Sequence, residues 1–203
     1  MESNKELVQS LIDSGVLKSK DIIKAFLDID RIDFVLPKYK DIAYRDIALP
    51  IGYDQTVSQP YTVAFMLELL NLKEGHKVLD IGSGSGWSTA LLSSIVGREG
   101  YVYGVELLQE LVDMGRENIS KYNLENAEIS KATDKLGIPG EVFDRILVSA
   151  SAKKFPKELL DQLKENGVMV IPIQESIYKV IKKKEEVIRE EYYGFSFVEL
   201  KTI

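Results

Sequence analysis

Cysteine is absent from the 203 residues, and histidine occurs once, as His76. The first absence excludes disulfides, thiol nucleophiles and thiolate metal sites. The second excludes a histidine-rich metal centre, so no metal site is expected. His76 lies in the polar turn Lys73-Glu74-Gly75-His76-Lys77, where a solvated loop histidine is the plain reading. Basic residues are also in short supply: 26 Lys and Arg stand against 32 Asp and Glu, a formal net charge of −6. Nucleic-acid binders neutralise phosphates with a basic patch. The main basic cluster here, Lys179, Lys182, Lys183 and Lys184, is followed at once by Glu185 and Glu186 and reads as a solvated strand end. A nucleic-acid partner is therefore not expected. No apolar run reaches the roughly 20 residues of a membrane span, and the N-terminal residues lack a secretory pattern. A cytoplasmic monomer with no membrane partner is the expectation.

What remains is an ordinary globular composition, 45% hydrophobic and 29% charged. A chain of this length can close one full core, so residues 1–203 are read as a single domain. Within it, residues 1–59 supply helices and a loop region, and residues 60–203 a strand-and-helix core. Helical spacing of apolar residues runs through Asn4–Leu17 and Lys20–Leu27. Between Ile29 and Gln59 periodicity is lost, and a stretch that long inside a compact domain is more often functional than idle. Pro60 opens a helix to Leu70. Strands are then expected at Lys77–Ile81, Tyr101–Glu106, Ala127–Lys131, Phe143–Ser149 and Val168–Ile173, and helices at Trp87–Val96, Leu108–Tyr122 and Pro156–Leu163. Near-continuous apolar strands alternating with helices predict a doubly wound α/β fold, with a mostly parallel sheet covered on both faces. Ile177–Ile181, Val187–Tyr193 and Phe195–Leu200 follow with no helix between them and predict an antiparallel C-terminal edge.

The segment Val78-Leu79-Asp80-Ile81-Gly82-Ser83-Gly84-Ser85-Gly86-Trp87 carries the chemistry. It reads as strand, tight turn and helix, with backbone left bare for a ligand. Glu106, at the tip of the next strand, is placed to accept hydrogen bonds from a ribose diol. The glycine spacing is G-x-G-x-G, not the dinucleotide G-x-G-x-x-G, and Asp80 would repel a pyrophosphate. An acid there suits a cationic ligand end such as the ammonium of a methionine moiety. The pattern Asp-x-Gly-x-Gly-x-Gly resembles the first motif of S-adenosylmethionine-dependent methyltransferases, which implies a Rossmann-like class I fold and that cofactor.

A second segment narrows the reading. Pro50-Ile51-Gly52-Tyr53-Asp54-Gln55-Thr56-Val57-Ser58-Gln59-Pro60 closely resembles the signature of protein-L-isoaspartate O-methyltransferases, P-I-G-x-x-Q-T-I-S-Q-P. Ala25-Phe26-Leu27, Asp33-Phe34-Val35, Tyr44 with Asp46, and Phe143 to Ala152 are similar to further parts of that family, so the resemblance spans nearly the whole chain. It implies a cofactor site of Asp80, Gly82, Ser83, Gly84, Gly86, Glu106 and Leu107, with Ser58 reaching the same ligand. It implies an acceptor site of Thr56, Val57, Ser58, Gln59 and Ala150, with Ser58 as the residue that aligns the acceptor oxygen. Ser58 taken alone would read as a cap of the helix opening at Pro60. The family's Gly-Asp-Gly near the adenine corresponds to Lys131 to Gly137, where the acid is replaced by Thr133 or displaced to Asp134. Two other departures are Gln174 after Ile171-Pro172-Ile173, and Glu199 in Phe197-Val198-Glu199-Leu200.

The implied reaction is methylation of the carboxylate of L-isoaspartyl residues in damaged proteins or peptides, which starts repair through a succinimide. What the chain lacks agrees with it. A carboxyl with a pKa of roughly 3 to 4 is already an anion at neutral pH and needs no base, metal or thiol. Alignment remains, and positioning supplies on the order of 7–11 kcal/mol. The alternative within the class is a methyltransferase for another acceptor: a dedicated peptide aspartate, a small carboxylate or RNA. Base methylation usually shows paired prolines and an aromatic after the fourth strand, where this chain has Val148-Ser149-Ala150-Ser151-Ala152. A non-catalytic binding module is the other alternative, and nothing in the cofactor motif is degraded as that would require.

Overall fold

The structure, a computed structural model, describes residues 1–201. The chain opens with two short helices, α1 (Asn4–Asp13) and α2 (Lys20–Asp28). Ser3 caps α1 by accepting from the Glu6 N–H. Gly15, at φ +74°, turns the chain away after α1, so Leu17 lies beyond the helix. The two helices lay Leu7, Leu11, Ile22 and Phe26 on the core, and the Phe26 ring meets Trp87 edge to face at 5.6 Å.

Residues 29–59, irregular by sequence, hold two 3-10 turns (Arg31–Phe34 and Pro37–Ile42) and a small hairpin. Its strands are β1 (Leu49–Gly52) and β2 (Gln55–Val57), antiparallel with Leu49 opposite Val57. Tyr53 and Asp54 at its tip both have left-handed φ, 55° and 57°. That is the backbone a tight two-residue hairpin turn needs. Strands of three or four residues are too short for an alternating pattern, and neither tip residue is glycine, so the hairpin leaves no sequence signal.

Next come α3 (Pro60–Leu70), β3 (Lys77–Ile81), α4 (Trp87–Val96), β4 (Tyr101–Glu106), α5 (Gln109–Ser120), β5 (Ala127–Lys131) and β6 (Phe143–Val148). The chain continues through α6 (Glu158–Asp161), β7 (Leu163–Ile173), β8 (Ser176–Lys182) and β9 (Val187–Tyr193). The main sheet has seven strands in the order β5-β4-β3-β6-β7-β8-β9. Pairings are parallel from β5 to β7 and antiparallel from β7 to β9. The doubly wound α/β sheet with its antiparallel edge is thus the one expected.

Successive strand residues face opposite sides of a sheet, and here both sides are dry. Val78, Leu147 and Val170 join the core under the helices α1 to α5, while Leu79, Ile146, Met169 and Ile171 join a second core on the other face. The winding reverses between β3 and β6, and in such sheets the crevice beyond the strand ends at the reversal binds ligands.

Two expectations are corrected. The helix read over Pro156–Leu163 is only the single turn α6, and β7 begins at Leu163, not Val168. Leu163 pairs with Phe143, the register then slips, and pairing resumes at Arg145 and Val168. The intervening residues bulge through Asn166 at φ 61°, and a bulge hides a strand from periodicity. Gln162 secures the turn by accepting from the Ile138 N–H and donating to the Leu136 carbonyl. Phe195–Leu200 is not an edge strand. Gly194, at φ +102°, takes the chain off β9, and the N–H groups of Gly194 and Phe195 both donate to the Glu175 carbonyl. The segment then crosses the strand ends, tied by Ser151 N–H to Val198 C=O and Leu200 N–H to Ser151 C=O, each 2.8 Å.

Candidate active site

The glycine turn sits at the reversal point. After β3, the N–H groups of Gly82 and Ser83 both donate to the Val105 carbonyl, at 2.8 and 3.2 Å. The Gly86 N–H donates to the Ser83 carbonyl at 2.8 Å and closes the turn. Gly82 and Gly84 line a cavity of about 350 Å³, within the range of small-molecule sites. At Gly84 a Cβ would stand 3.2 Å from Ile51 Cδ1 of the hairpin, so hairpin and turn touch. Gly86 serves packing instead: at φ +89° its Cβ would lie 3.0 Å from the Gly115 carbonyl oxygen of α5. The Ser83 hydroxyl also turns inward, toward the Asp80 and Val105 carbonyls, into the space that Gly104 leaves bare.

Glu106 lines the cavity, with its side chain largely buried. Its Oε2 accepts from the Gly84 N–H at 2.9 Å and its Oε1 from the Leu108 N–H at 3.0 Å. A carboxylate has about four acceptor positions, so two remain for a diol. Leu107, Leu108, Ala132 and Thr133 extend the same wall, whereas Asp134 faces a separate concavity beside Glu141 and Glu158.

Asp80 is fully buried and does not reach the cavity lining. Its Oδ2 accepts from the hydroxyls of Ser88 and Thr89, both at 2.7 Å, on the first turn of α4. Its Oδ1 has no partner among the described residues. Burial pushes its pKa up to about 6, against the pull of the two hydroxyls, and the nearby Glu106 charge adds to the rise. The folded state therefore holds this proton more tightly than the unfolded chain does. Stability from that difference is complete below pH 4 and is lost as pH rises through about 6. Across that window, with no ligand present, the wild type should lose about 2–3 kcal/mol relative to Asp80→Asn. Urea unfolding at stepped pH measures the difference, and parallel curves for the two proteins would refute it.

A second cavity, of about 640 Å³, adjoins the first, and Thr56, Ser149 and Val198 line both. Ser58, Gln59 and Tyr61 line only the second, and Ala150 only the first. The Val57 side chain is buried beneath β2 and lines neither. The Ser58 hydroxyl makes no hydrogen bond among the described residues, and α3 carries no cap from its own N-cap side chain. Asp46 does that work from a distance. Its Oδ1 accepts from the Tyr61 N–H at 2.8 Å, and its Oδ2 from Gln59 Nε2 at 3.1 Å.

Arg31 is a site element that sequence reasoning missed. It is 0% exposed. Nη1 donates to the carbonyls of Ala43 and Arg45, and Nη2 to those of Ile47 and Ser58, at 2.6 to 3.1 Å. Its guanidinium carbon lies 5.3 Å from the Trp87 ring centroid. Burial lowers its pKa to about 10, with Asp46 opposing, so it is a cation at neutral pH. One side chain thus ties four points of the irregular segment together behind Ser58. The sole forewarning is an arginine bracketed by Ile29 and Ile32.

A parallel sheet wound this way, with a glycine turn after one strand and an acid at the tip of the next, defines a class I S-adenosylmethionine-dependent methyltransferase. A family model described as Protein-L-isoaspartate(D-aspartate) O-methyltransferase matches residues 2–202, and the chain belongs to that family. Protein-L-isoaspartate O-methyltransferases of Ignicoccus hospitalis and Dictyoglomus turgidum are 38% and 41% identical to it. The first comparison covers 98% of this chain and 97% of the relative, the second 97% and 90%. Among solved structures, a Plasmodium falciparum protein described as a protein-L-isoaspartate O-methyltransferase, in complex with S-adenosyl-L-homocysteine, superposes with a TM-score of 0.88. It is 31% identical, with 99% of each chain covered. No helix among the described residues is long and apolar enough to cross a membrane.

Proposed function

We propose that this chain methylates the carboxylate of L-isoaspartyl residues in proteins or peptides, with the methyl drawn from S-adenosylmethionine. The observation that carries the reading is the pair of adjoining cavities. One is floored by the glycine turn and Glu106, the other is bordered by Ser58, and they meet at Thr56, Ser149 and Val198. When bound, the cofactor supplies a methyl on a sulfonium, already activated for transfer. Gly82 and Gly84 hold it by bare backbone, Glu106 by the ribose hydroxyls, and Leu107 and Thr133 by the wall. Ser58 donates its hydroxyl to the acceptor oxygen and keeps a lone pair toward the junction, while Thr56 and Gln59 shape the same wall. The hairpin and the Val198–Leu200 crossing cover the junction and limit water. Asp80, Ser83 and Gly86 act through the turn they shape. The buried Asp80 carboxylate sets a negative field beneath the turn, which favours the methionine ammonium without touching it.

The acceptor enters as an anion, so the site needs alignment and not a base. In this reading the chain is a metal-independent cytoplasmic monomer of one domain. Residues 1–59 supply the N-terminal helices and the substrate-side loop, and residues 60–203 the cofactor-binding core.

Incubation with labelled cofactor and matched isoaspartyl and aspartyl peptides tests the proposal. Isoaspartyl peptide should be methylated far faster, and mild alkali should release the label as methanol. Label that survives alkali would mean nitrogen or carbon methylation and would overturn the reading. Glu106→Ala should weaken cofactor binding by about 1–3 kcal/mol, the cost of leaving polar groups unmatched. Calorimetry on both proteins decides, and equal affinities would remove Glu106 from the ribose.

A further inference from the structure

The second cavity is walled by hydroxyls, an amide and aromatic rings, and none of its lining residues among those described carries a charge. Such a wall can orient a carboxylate by hydrogen bonds, but it brings no counter-charge for an anion leaving water. The cation packed behind this wall, Arg31, is fully buried and lines neither cavity, so it makes no direct contact with a ligand there. Its four Nη hydrogens are already given to the carbonyls of Ala43, Arg45, Ile47 and Ser58. Carboxylates flank the wall instead. Asp46 holds Gln59 and the Tyr61 N–H, and Glu175 accepts from the Tyr193 hydroxyl. Lys135 and Lys201 line the other cavity, together with Asp54, Glu106 and Glu199, and the three residues at the junction are uncharged.

We propose that the acceptor cavity leaves the charge of the incoming carboxylate to be balanced across the junction by the cofactor's sulfonium, so that acceptor binding depends on the cofactor's charge. This rests on the function proposed above. The uncharged wall orients the carboxylate through hydroxyls without holding it permanently. On transfer, the carbon–sulfur bond breaks with its electron pair left on sulfur, and the oxygen–carbon bond forms. No proton moves, and both charges vanish together. A neutral ester then faces a neutral thioether, and the attraction that gathered the substrate no longer retains the product. A fixed lysine or arginine in this wall would bind substrate with either form of the cofactor, including the spent one.

Two unreactive complexes separate the charge from the shape. One holds S-adenosylhomocysteine, a neutral thioether. The other holds the amine analogue in which a protonated CH–NH₃⁺ group replaces the methylsulfonium. An isoaspartyl peptide with uncharged neighbours is titrated calorimetrically into each. Two unit charges a few ångströms apart, at the effective dielectric of a partly buried site, attract by about a thousandfold in affinity before desolvation is subtracted. The peptide should bind the amine complex at least about tenfold more tightly, while its methyl ester should bind the two complexes alike. Equal affinities for the free carboxylate overturn the inference, and so does an equal preference by the ester. A peptide that is methylated yet binds both complexes equally leaves the function standing and removes only the charge coupling. A peptide neither methylated nor bound in either complex removes both.

Discussion

Ser58→Ala should lower turnover of an isoaspartyl peptide by roughly 10²–10³, the effect of losing one donor that acts mainly in the transition state. Cofactor affinity should be nearly unchanged, because Ser58 lines the acceptor cavity and not the one floored by the glycine turn. Folding stability should also be nearly unchanged. The hydroxyl has no partner among the described residues, and Asp46 performs the capping that Ser58 would otherwise be assigned. Three measurements therefore separate the roles: single-turnover rate, calorimetric cofactor affinity and urea midpoint. A large fall in midpoint with turnover per folded molecule intact would make Ser58 a structural residue and end its assignment to the acceptor.

Arg31→Met should destabilise the protein by about 3–5 kcal/mol, in line with removal of one side of a buried charged cluster. The methionine fills the volume but leaves four carbonyls, that of Ala43 buried and the other three part-buried, without their donors. For a domain near 200 residues this corresponds to a fall in Tm of roughly 6–20 °C. Arg31→Lys keeps the charge but has three donors on a flexible stem in place of a planar fork, and should fall between the two. Because one of the four carbonyls belongs to Ser58, acceptor methylation should fall in Arg31→Lys more than cofactor affinity does. A loss under about 1 kcal/mol in Arg31→Met would show that water replaces the guanidinium without penalty, and that this residue does not hold the segment.

The order of strands and helices from Pro60 onward was legible because the central parallel strands are buried on both faces and so read as near-continuous apolar runs. Ile146 to Val148 is the plainest case, and Val78 to Ile81 is apolar but for Asp80. The glycine turn was legible for a different reason. Left-handed backbone at positions 82, 84 and 86 admits little but glycine, so the backbone requirement is written in the residues. The hairpin, the bulge before Val168 and the crossing at Phe195–Leu200 were not legible. The bulge and the crossing are set by contacts distant in sequence, the hairpin turns without glycine, and none has the length to show a period.

Composition and motif alone determined the class of chemistry: no thiol, a single histidine, an acid before a glycine turn and an acid after the next strand. They could not apportion the work among the residues so marked. Ser83 and Ser58 are equally plausible hydroxyls on paper, yet one is spent inside the turn over Gly104 and the other borders an open cavity. Gly84 and Gly86 look alike, yet one floors a cavity and the other admits a helix. Only the tertiary structure decided these, because a side chain's direction depends on what packs behind it. Arg31 shows this most fully: its four hydrogen-bond partners span residues 43 to 58, and only the folded chain brings them to one guanidinium.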